Sequence, residues 1–280
     1  MIQLGINFDE ISDNLDEAFE IMHRYQVKNG ELRTVEGKNS IFFDDTEAKD
    51  VLARIHAADI NLVAIATPLF KWYTDPTFAE VPHDNFGFNP RADERQKHEY
   101  INRMLAVATL LGVKKLRIFS NLSDGSLSVD DFINDPVLAY ALDKAQAAGI
   151  TLMIENEPVC IVNRKAHILE VFRRVQHPNL KLWLDVANLL ELGEEMDDDF
   201  IAEVAEYTEY LHVKDFTQKD GKKVYHPLGQ GGVDYVSVMA LLRKHLGDKD
   251  VNLSIETHVF NDRKNASSAS IDYAQRELGL

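Results

Sequence analysis

Four short apolar runs in the second half of the chain each finish on a group that can hold a cation or move a proton. LMIENEP carries Glu155, Asn156 and Glu157, LWLDVAN carries Asp185, YLHVKD carries His212 with Lys214 and Asp215, and LSIETH carries Glu256. A carboxylate buried at the end of a strand costs several kcal/mol unless it is paired or bound to a cation. Three carboxylates and an imidazole brought to one end of a sheet form a hard, oxygen-rich donor set. Such a set suits one divalent ion among Mn²⁺, Mg²⁺, Co²⁺ and Zn²⁺ and suits copper or iron–sulfur poorly. Taken singly, each acid could instead cap the next helix or pair with Arg33 or Lys214. All four falling at successive strand ends is what points to a shared partner.

The elements that position these groups follow from hydrophobic patterning. Apolar runs at residues 2–6, 30–33, 62–66, 115–119, 151–154, 180–184, 210–213 and 253–255 read as eight buried strands. Between them, Ile101, Leu105 and Ala108, Ile168, Phe172 and Val175, and Phe200, Val204 and Tyr207 repeat at i, i+4, i+7. That spacing marks one apolar face of a helix. Asp45 or Thr46 before the second helix and Asp197 to Asp199 before the sixth are cap candidates. A strand start about every 35 residues is one β/α unit, and eight units predict a single-domain (β/α)₈ TIM barrel, an α/β fold, over residues 1–280. The rival, an open doubly wound sheet, lacks a Gly-rich turn after the first strand, where Gly5-Ile6-Asn7-Phe8-Asp9 stands. One connection, residues 68–90, is too long for a plain unit and is dense in aromatics and proline. Long loops in compact domains are commonly lids, and this one is expected over the C-terminal mouth.

Composition sets the outer limits. Of 280 residues 45% are apolar and 27% charged, enough for a large core, and Gly and Pro are too few for a linker-rich chain. A net charge of −16 opposes nucleic acid and anionic membrane as partners. The single Cys160 excludes a disulfide framework and a cysteine-rich zinc module, and reads as structural. MIQLGINFDE has no basic–apolar–small leader pattern and no run approaches a membrane span, so a cytoplasmic protein is expected.

Further residues stand where they can meet a substrate. Arg33 can reach the mouth to bind a carboxylate or phosphate, unless it pairs with Glu31 or Glu36. Lys71 and Trp72 open the long loop, where the indole could stack on the apolar face of a substrate. Glu157 and Lys214 flank the ligand positions, and His226 lies before the Gly229 and Gly231 loop. His258 is read as a packed strand-end imidazole.

The strand ends LMIENEP, LWLDVAN, YLHVKD and LSIETH, with the loop HPLGQGGVDY, resemble the xylose isomerase-like TIM-barrel superfamily of sugar phosphate isomerases and epimerases. The resemblance spans essentially the whole chain, and the order Glu, Asp, His, Glu over strands five to eight is its specific part; GELRTVEGKNS and IATPLFKW resemble a subgroup. It implies that Glu155, Asp185, His212 and Glu256 bind one divalent metal. Ketose 3-epimerases of this superfamily carry His three residues after the strand-six Asp, where this chain has Asn188, which can bond a hydroxyl but carry no proton. The related endonuclease IV enzymes need extra ligands for three zinc ions. Here Thr67-Pro68, Ser120-Asn121, Lys223 and Tyr225 occupy those places, so DNA repair is not expected.

The expected activity is isomerisation or epimerisation of a small polyhydroxy carbonyl compound through an enediolate. Glu155 and Glu256, from strands five and eight, face each other across the substrate as the proton-transfer pair. A dehydratase acting on a polyhydroxy ketone and a non-catalytic carbohydrate-binding barrel are the alternatives. A homo-oligomer is compatible with the sequence.

Overall fold

A computed structural model describes all residues except 76, 85, 220 and 221. Eight parallel strands close into a barrel: β1 (Ile2–Asn7), β2 (Asn29–Leu32), β3 (Asn61–Ile65), β4 (Lys115–Ile118), β5 (Thr151–Glu155), β6 (Leu180–Asp185), β7 (Thr208–Val213) and β8 (Val251–Ile255). Each strand pairs with its chain neighbours, and β8 returns to β1 with Ile2 opposite Val251 and Ile6 opposite Ile255. A principal helix follows each strand: α1 (Leu15–Arg24), α2 (Asp45–Ala57), α3 (Glu94–Leu110), α4 (Pro136–Ala148), α5 (Lys165–Arg174), α6 (Asp198–Val204), α7 (Tyr235–Leu246) and α8 (Arg263–Arg276). The fold is the single-domain (β/α)₈ barrel that the strand spacing predicts.

Local signals explain the boundaries. Asp44 caps α2 by accepting from the Thr46 and Glu47 backbone, and Glu47 answers in a capping box. The expected caps at Asp45 or Thr46 are therefore one or two residues late, because those residues already lie in the first turn. Asp197 caps α6 as expected, accepting from Phe200 N. The expected Tyr207 face is cut short: α6 ends at Val204, and Tyr207 packs on Phe172 just before β7.

A strand in this barrel sends alternate side chains into two different cores. One set joins the shell of apolar residues between sheet and helices. The other points into the barrel, where Ala64, Met153, Trp183 and Tyr210 form a separate buried cluster, the Trp183 and Tyr210 rings stacked at 3.6 Å. On β2 the ladder shifts register between Gly30 and Glu31. A Cβ at Gly30 would lie 2.1 Å from the Phe8 ring, so only glycine fits there.

Two small hairpins that the patterning did not predict extend the C-terminal ends of strands. Thr34–Val35 pairs with Lys38–Asn39 after β2, and Asp215–Lys219 pairs with Lys222–His226 after β7. Among the described residues no helix is long and apolar enough to cross a membrane.

Candidate metal centre and cavity

Period-two alternation carries the inward row of each strand from the apolar cluster to a charged layer one step nearer the C-terminal mouth. Met153 is followed by Glu155, Trp183 by Asp185, Tyr210 by His212 and Ser254 by Glu256. The His212 ring stands edge-on to Trp183 with centroids 4.9 Å apart. One ligand atom each from Glu155, Asp185, His212 and Glu256 lies within 4.8 Å of the others, and all four residues are buried.

A ring of charged partners holds this set. Glu155 Oε2 lies 3.0 Å from Arg117 Nη1, and its Oε1 is 2.8 Å from His212 Nδ1. Asp185 Oδ2 accepts from Lys214 Nζ at 2.7 Å, and Oδ1 caps the short helix Val186–Glu191 through Asn188 N. Glu256 accepts from Arg33 Nη1 at 2.7 Å and from Lys214 at 3.2 Å, with His258 Nε2 at 3.2 Å. Arg33 continues to Glu10 at 2.7 Å and Asp9 at 3.0 Å. The far nitrogen of His212, Nε2, is 2.8 Å from Glu31 Oε2, and Glu31 accepts in turn from Asn7 at 3.1 Å.

Two features of this arrangement fit a divalent cation. The first is the two-sided contact of His212. A neutral imidazole donates from one nitrogen only, so a carboxylate at each nitrogen leaves one nitrogen lone pair facing an oxygen lone pair. With Nε2–H donating to Glu31, the Nδ1 side needs a positive centre between it and Glu155 and Glu256; a proton or a metal ion supplies one. The same demand appears as basicity: burial disfavours the imidazolium, yet Glu31, Glu256 and Glu155 together raise His212 well above the ordinary histidine range. The second feature is charge. Asp9, Glu10, Glu31, Glu155, Asp185 and Glu256 are six carboxylates in one connected network whose permanent cations are Arg33, Arg117 and Lys214. The network is short of positive charge. Lys214 touches two of the three ligand carboxylates, so it competes for part of the cation's place. Its ammonium is stabilised accordingly: burial opposes it, but Asp185, Glu256 and Glu155 raise Lys214 well above the usual lysine value.

Above the cluster opens a cavity of about 650 Å³, in the range of small-molecule sites. Glu155 and Glu256 reach its wall together with Arg33, Lys71, Glu157, Asn188 and Lys214. Pro82, His83, Asp84 and Phe86 of the long loop line the same cavity.

Two expected contacts do not reach it. Trp72 is wholly buried away from the cavity wall, packed on Phe70 at 4.9 Å and Phe88 at 6.4 Å. Its indole anchors the base of the loop and is not open to a sugar. His226 sits within the hairpin after β7, 2.8 Å from Thr217, and is not part of the cavity lining. Arg33 is not paired with Glu31 or Glu36; its guanidinium is spent on Asp9, Glu10 and Glu256 while Glu36 pairs with Arg54.

Three residues of the site escaped sequence reasoning. Arg117 lies in KLRIF, two residues after Lys115 and two before Phe119, on the inward row of β4. A charge inside an apolar strand at inward parity was the available signal. Glu31 has the same signal on β2, two residues before Arg33. His258, read as a packed imidazole, touches Glu256 and lines the cavity with Tyr225 and Phe260.

A family model described as xylose isomerase-like TIM barrel matches residues 28–277. No curated protein matches the chain by sequence. Among solved structures, the IolI protein with a bound zinc atom superposes with a TM-score of 0.74 at 18% identity, over 98% of this chain and 96% of that one. The probable 3-DHS dehydratase AsbF from Bacillus anthracis gives 0.73 at 14% identity, covering 98% and 99%. The 3-keto-D-glucoside 4-epimerase YcjR from E. coli gives 0.72 at 13% identity, covering 98% and 99%. At these identities the likeness is one of fold.

Proposed function

The chain belongs to the xylose isomerase-like TIM barrel family, and from that premise we propose that it is a divalent-metal-dependent isomerase or epimerase of a small polyhydroxy carbonyl compound. The observation that carries the reading is the convergence of Glu155, Asp185, His212 and Glu256 on one point at the base of a cavity with a mixed polar and aromatic wall. Glu155, Asp185, His212 Nδ1 and Glu256 would hold one ion among Mn²⁺, Mg²⁺, Co²⁺ and Zn²⁺. A bound divalent ion polarises a carbonyl oxygen and makes the adjacent C–H more acidic.

The chain's own groups supply the rest. Glu155 and Glu256 come from β5 and β8 and flank His212 Nδ1 at 2.8 and 3.5 Å, so they bracket whatever enters between them. One takes the proton from the carbon beside the carbonyl. The other side returns a proton to the same carbon or its neighbour, each transfer contributing about 10²–10⁴-fold in rate. Arg117 fixes Glu155 by its outer oxygen, and Arg33 fixes Glu256, which keeps both carboxylates aimed inward. His258 Nε2 lies at the cavity wall, 3.2 Å from Glu256 and within hydrogen-bond reach of that carboxylate. Residues 82–84 and 86 of the long loop wall off the mouth, limiting water at the reacting carbon.

A second reading is dehydration of a polyhydroxy ketone, since Asn188, whose backbone N–H donates to Asp185, has a side chain that cannot carry a proton and so counts against epimerisation. The deciding experiment runs the metal-loaded protein in D₂O with a panel of ketoses. The isomerase reading expects deuterium at the reacting carbon, lost in Glu155→Gln and Glu256→Gln far more than substrate binding is lost. A product lacking the elements of water assigns the lyase. Neither exchange nor a dehydrated product with any ketose refutes both and leaves a carbohydrate-binding barrel.

A further inference from the structure

One wall of the cavity is built from the loop after β3 and the segment after β5, and its polar groups are arranged as alternating donor and acceptor. Lys71 is 2% exposed, yet its ammonium borders the cavity. Nζ lies 3.2 Å from Glu157 Oε1 and 3.7 Å from Asp84 Oδ2. It also sits over two aromatic faces, 5.0 Å from the Phe86 centroid and 4.7 Å from that of Phe119. Glu157 Oε2 accepts from Asn188 Nδ2 at 3.3 Å, and that amide is anchored on Asn156 O at 2.9 Å. Lys71 therefore has N–H bonds to spare, and Glu157 has lone pairs to spare, side by side above an aromatic floor.

We propose that Lys71 and Glu157, with Glu157 oriented by Asn188, form a clamp for two adjacent uncharged hydroxyls of the substrate, selecting a neutral polyol over its phosphorylated counterpart. The proposal rests on the sugar-site reading above and names the substrate class for it. Two neighbouring hydroxyls satisfy such a pair: one accepts from the ammonium and the other donates to the carboxylate. The faces of Phe86 and Phe119 receive the C–H side of the same carbons. At this wall an anionic group has no comparable place. The ammonium is already matched by Glu157 and approached by Asp84, so a phosphate drawn to Lys71 meets two carboxylates within 4 Å of its partner. Repulsion of this kind discriminates as effectively as added attraction. Burial opposes the Lys71 ammonium, but Glu157 and Asp84 hold it charged, with its basicity raised.

Calorimetric titration of the metal-loaded full chain with D-sorbitol and D-sorbitol 6-phosphate tests the clamp. The native protein is expected to bind sorbitol at least ten-fold more tightly than the phosphate. Lys71→Met is expected to weaken sorbitol about ten- to hundred-fold, the range for a hydrogen bond to a charged group. Glu157→Gln keeps the shape and most hydrogen bonding, so it guards against misfolding of the lysine variant. It is expected to weaken sorbitol several-fold, less than Lys71→Met does, and to strengthen the phosphate, so that the discrimination narrows about ten-fold. Tighter binding of the phosphate to native protein, unchanged discrimination in Glu157→Gln, or no binding of either compound overturns the clamp. Selective sorbitol binding without turnover of any ketose leaves the clamp standing and removes the isomerase reading; efficient turnover of a phosphorylated sugar in preference to its neutral form does the reverse.

Discussion

Arg117→Met isolates one buried electrostatic dependence in the barrel interior. In the native fold Glu155 Oε2 faces Arg117 Nη1 at 3.0 Å, and both side chains are 2% exposed. Burial alone raises the Glu155 carboxyl, but Arg117 first and His212 second override it and pull it from an ordinary 4.5 down to about 2. At 1.36 kcal/mol per pH unit, that displacement corresponds to about 3 kcal/mol of stabilisation of the carboxylate. The general cost of removing one member of a buried ion pair, about 3–5 kcal/mol, agrees. For a chain of this size the variant should melt roughly 6–12 °C lower, at about 2–4 °C per kcal/mol. The assay is urea and thermal unfolding at pH 7 in the presence of chelator, so that no ion compensates. Because the folded value lies below the unfolded one, this contribution is complete above about pH 4.5 and is lost as pH falls from about 4.5 to about 2. The variant should show a smaller loss over that window. Arg117→Met/Glu155→Met removes both charges with apolar groups of similar length and should recover most of the deficit. If Arg117→Met costs less than about 1 kcal/mol, or if the two substitutions are simply additive, the buried pair is not coupled as described.

Glu31 and the long loop give two further tests. Glu31→Gln takes the negative charge from beside His212 Nε2, 2.8 Å away, and should weaken divalent-metal binding about 10–100-fold while the chain stays folded; unchanged affinity in a metal titration means Glu31 does not tune the imidazole. Shortening the loop between residues 78 and 86 removes Pro82, His83 and Asp84 from the cavity wall, and should raise KM or abolish turnover with little change in the far-ultraviolet circular dichroism. Full activity in the shortened protein would mean that the loop is a bystander.

Much of this barrel was legible because its strands are buried on both faces. Continuous apolar runs such as LMI and LWL announce themselves, and the charge that ends each run marks the mouth. The same logic placed Glu155, Asp185, His212 and Glu256, since an ionisable group at inward parity on a strand end has one direction to point. What stayed hidden depended on which partner a long side chain selects. Arg33 reaches back to Asp9 and Glu10, contacts 24 and 23 residues away in sequence, and across the barrel to Glu256. No local spacing encodes that choice. Trp72 was misplaced for a related reason: an aromatic in a loop reads as a stacking surface, whereas packing with Phe70 and Phe88 buries it completely. The hairpin after β7 was missed because DFTQKDGKKVYH is polar and alternates weakly. Its anchor is Asp215, whose carboxylate accepts from Phe216, Gly229, Gly231 and Val233 backbone N–H groups, a tertiary arrangement that patterning does not express.

The central claim is that the four-residue cluster holds one divalent cation, and direct metal titration tests it. Chelator-stripped protein titrated with Mn²⁺, Co²⁺, Zn²⁺ and Mg²⁺ should bind one equivalent of at least one of them, confirmed by elemental analysis. Because the ion binds only the folded chain, a free concentration of 100 times Kd should add about 2.7 kcal/mol of stability and raise the melting temperature. Asp185→Asn and Glu256→Gln should each lose both the stoichiometric binding and the thermal shift. No bound equivalent of any of the four ions, with an unchanged melting temperature in folded native protein, would contradict the account.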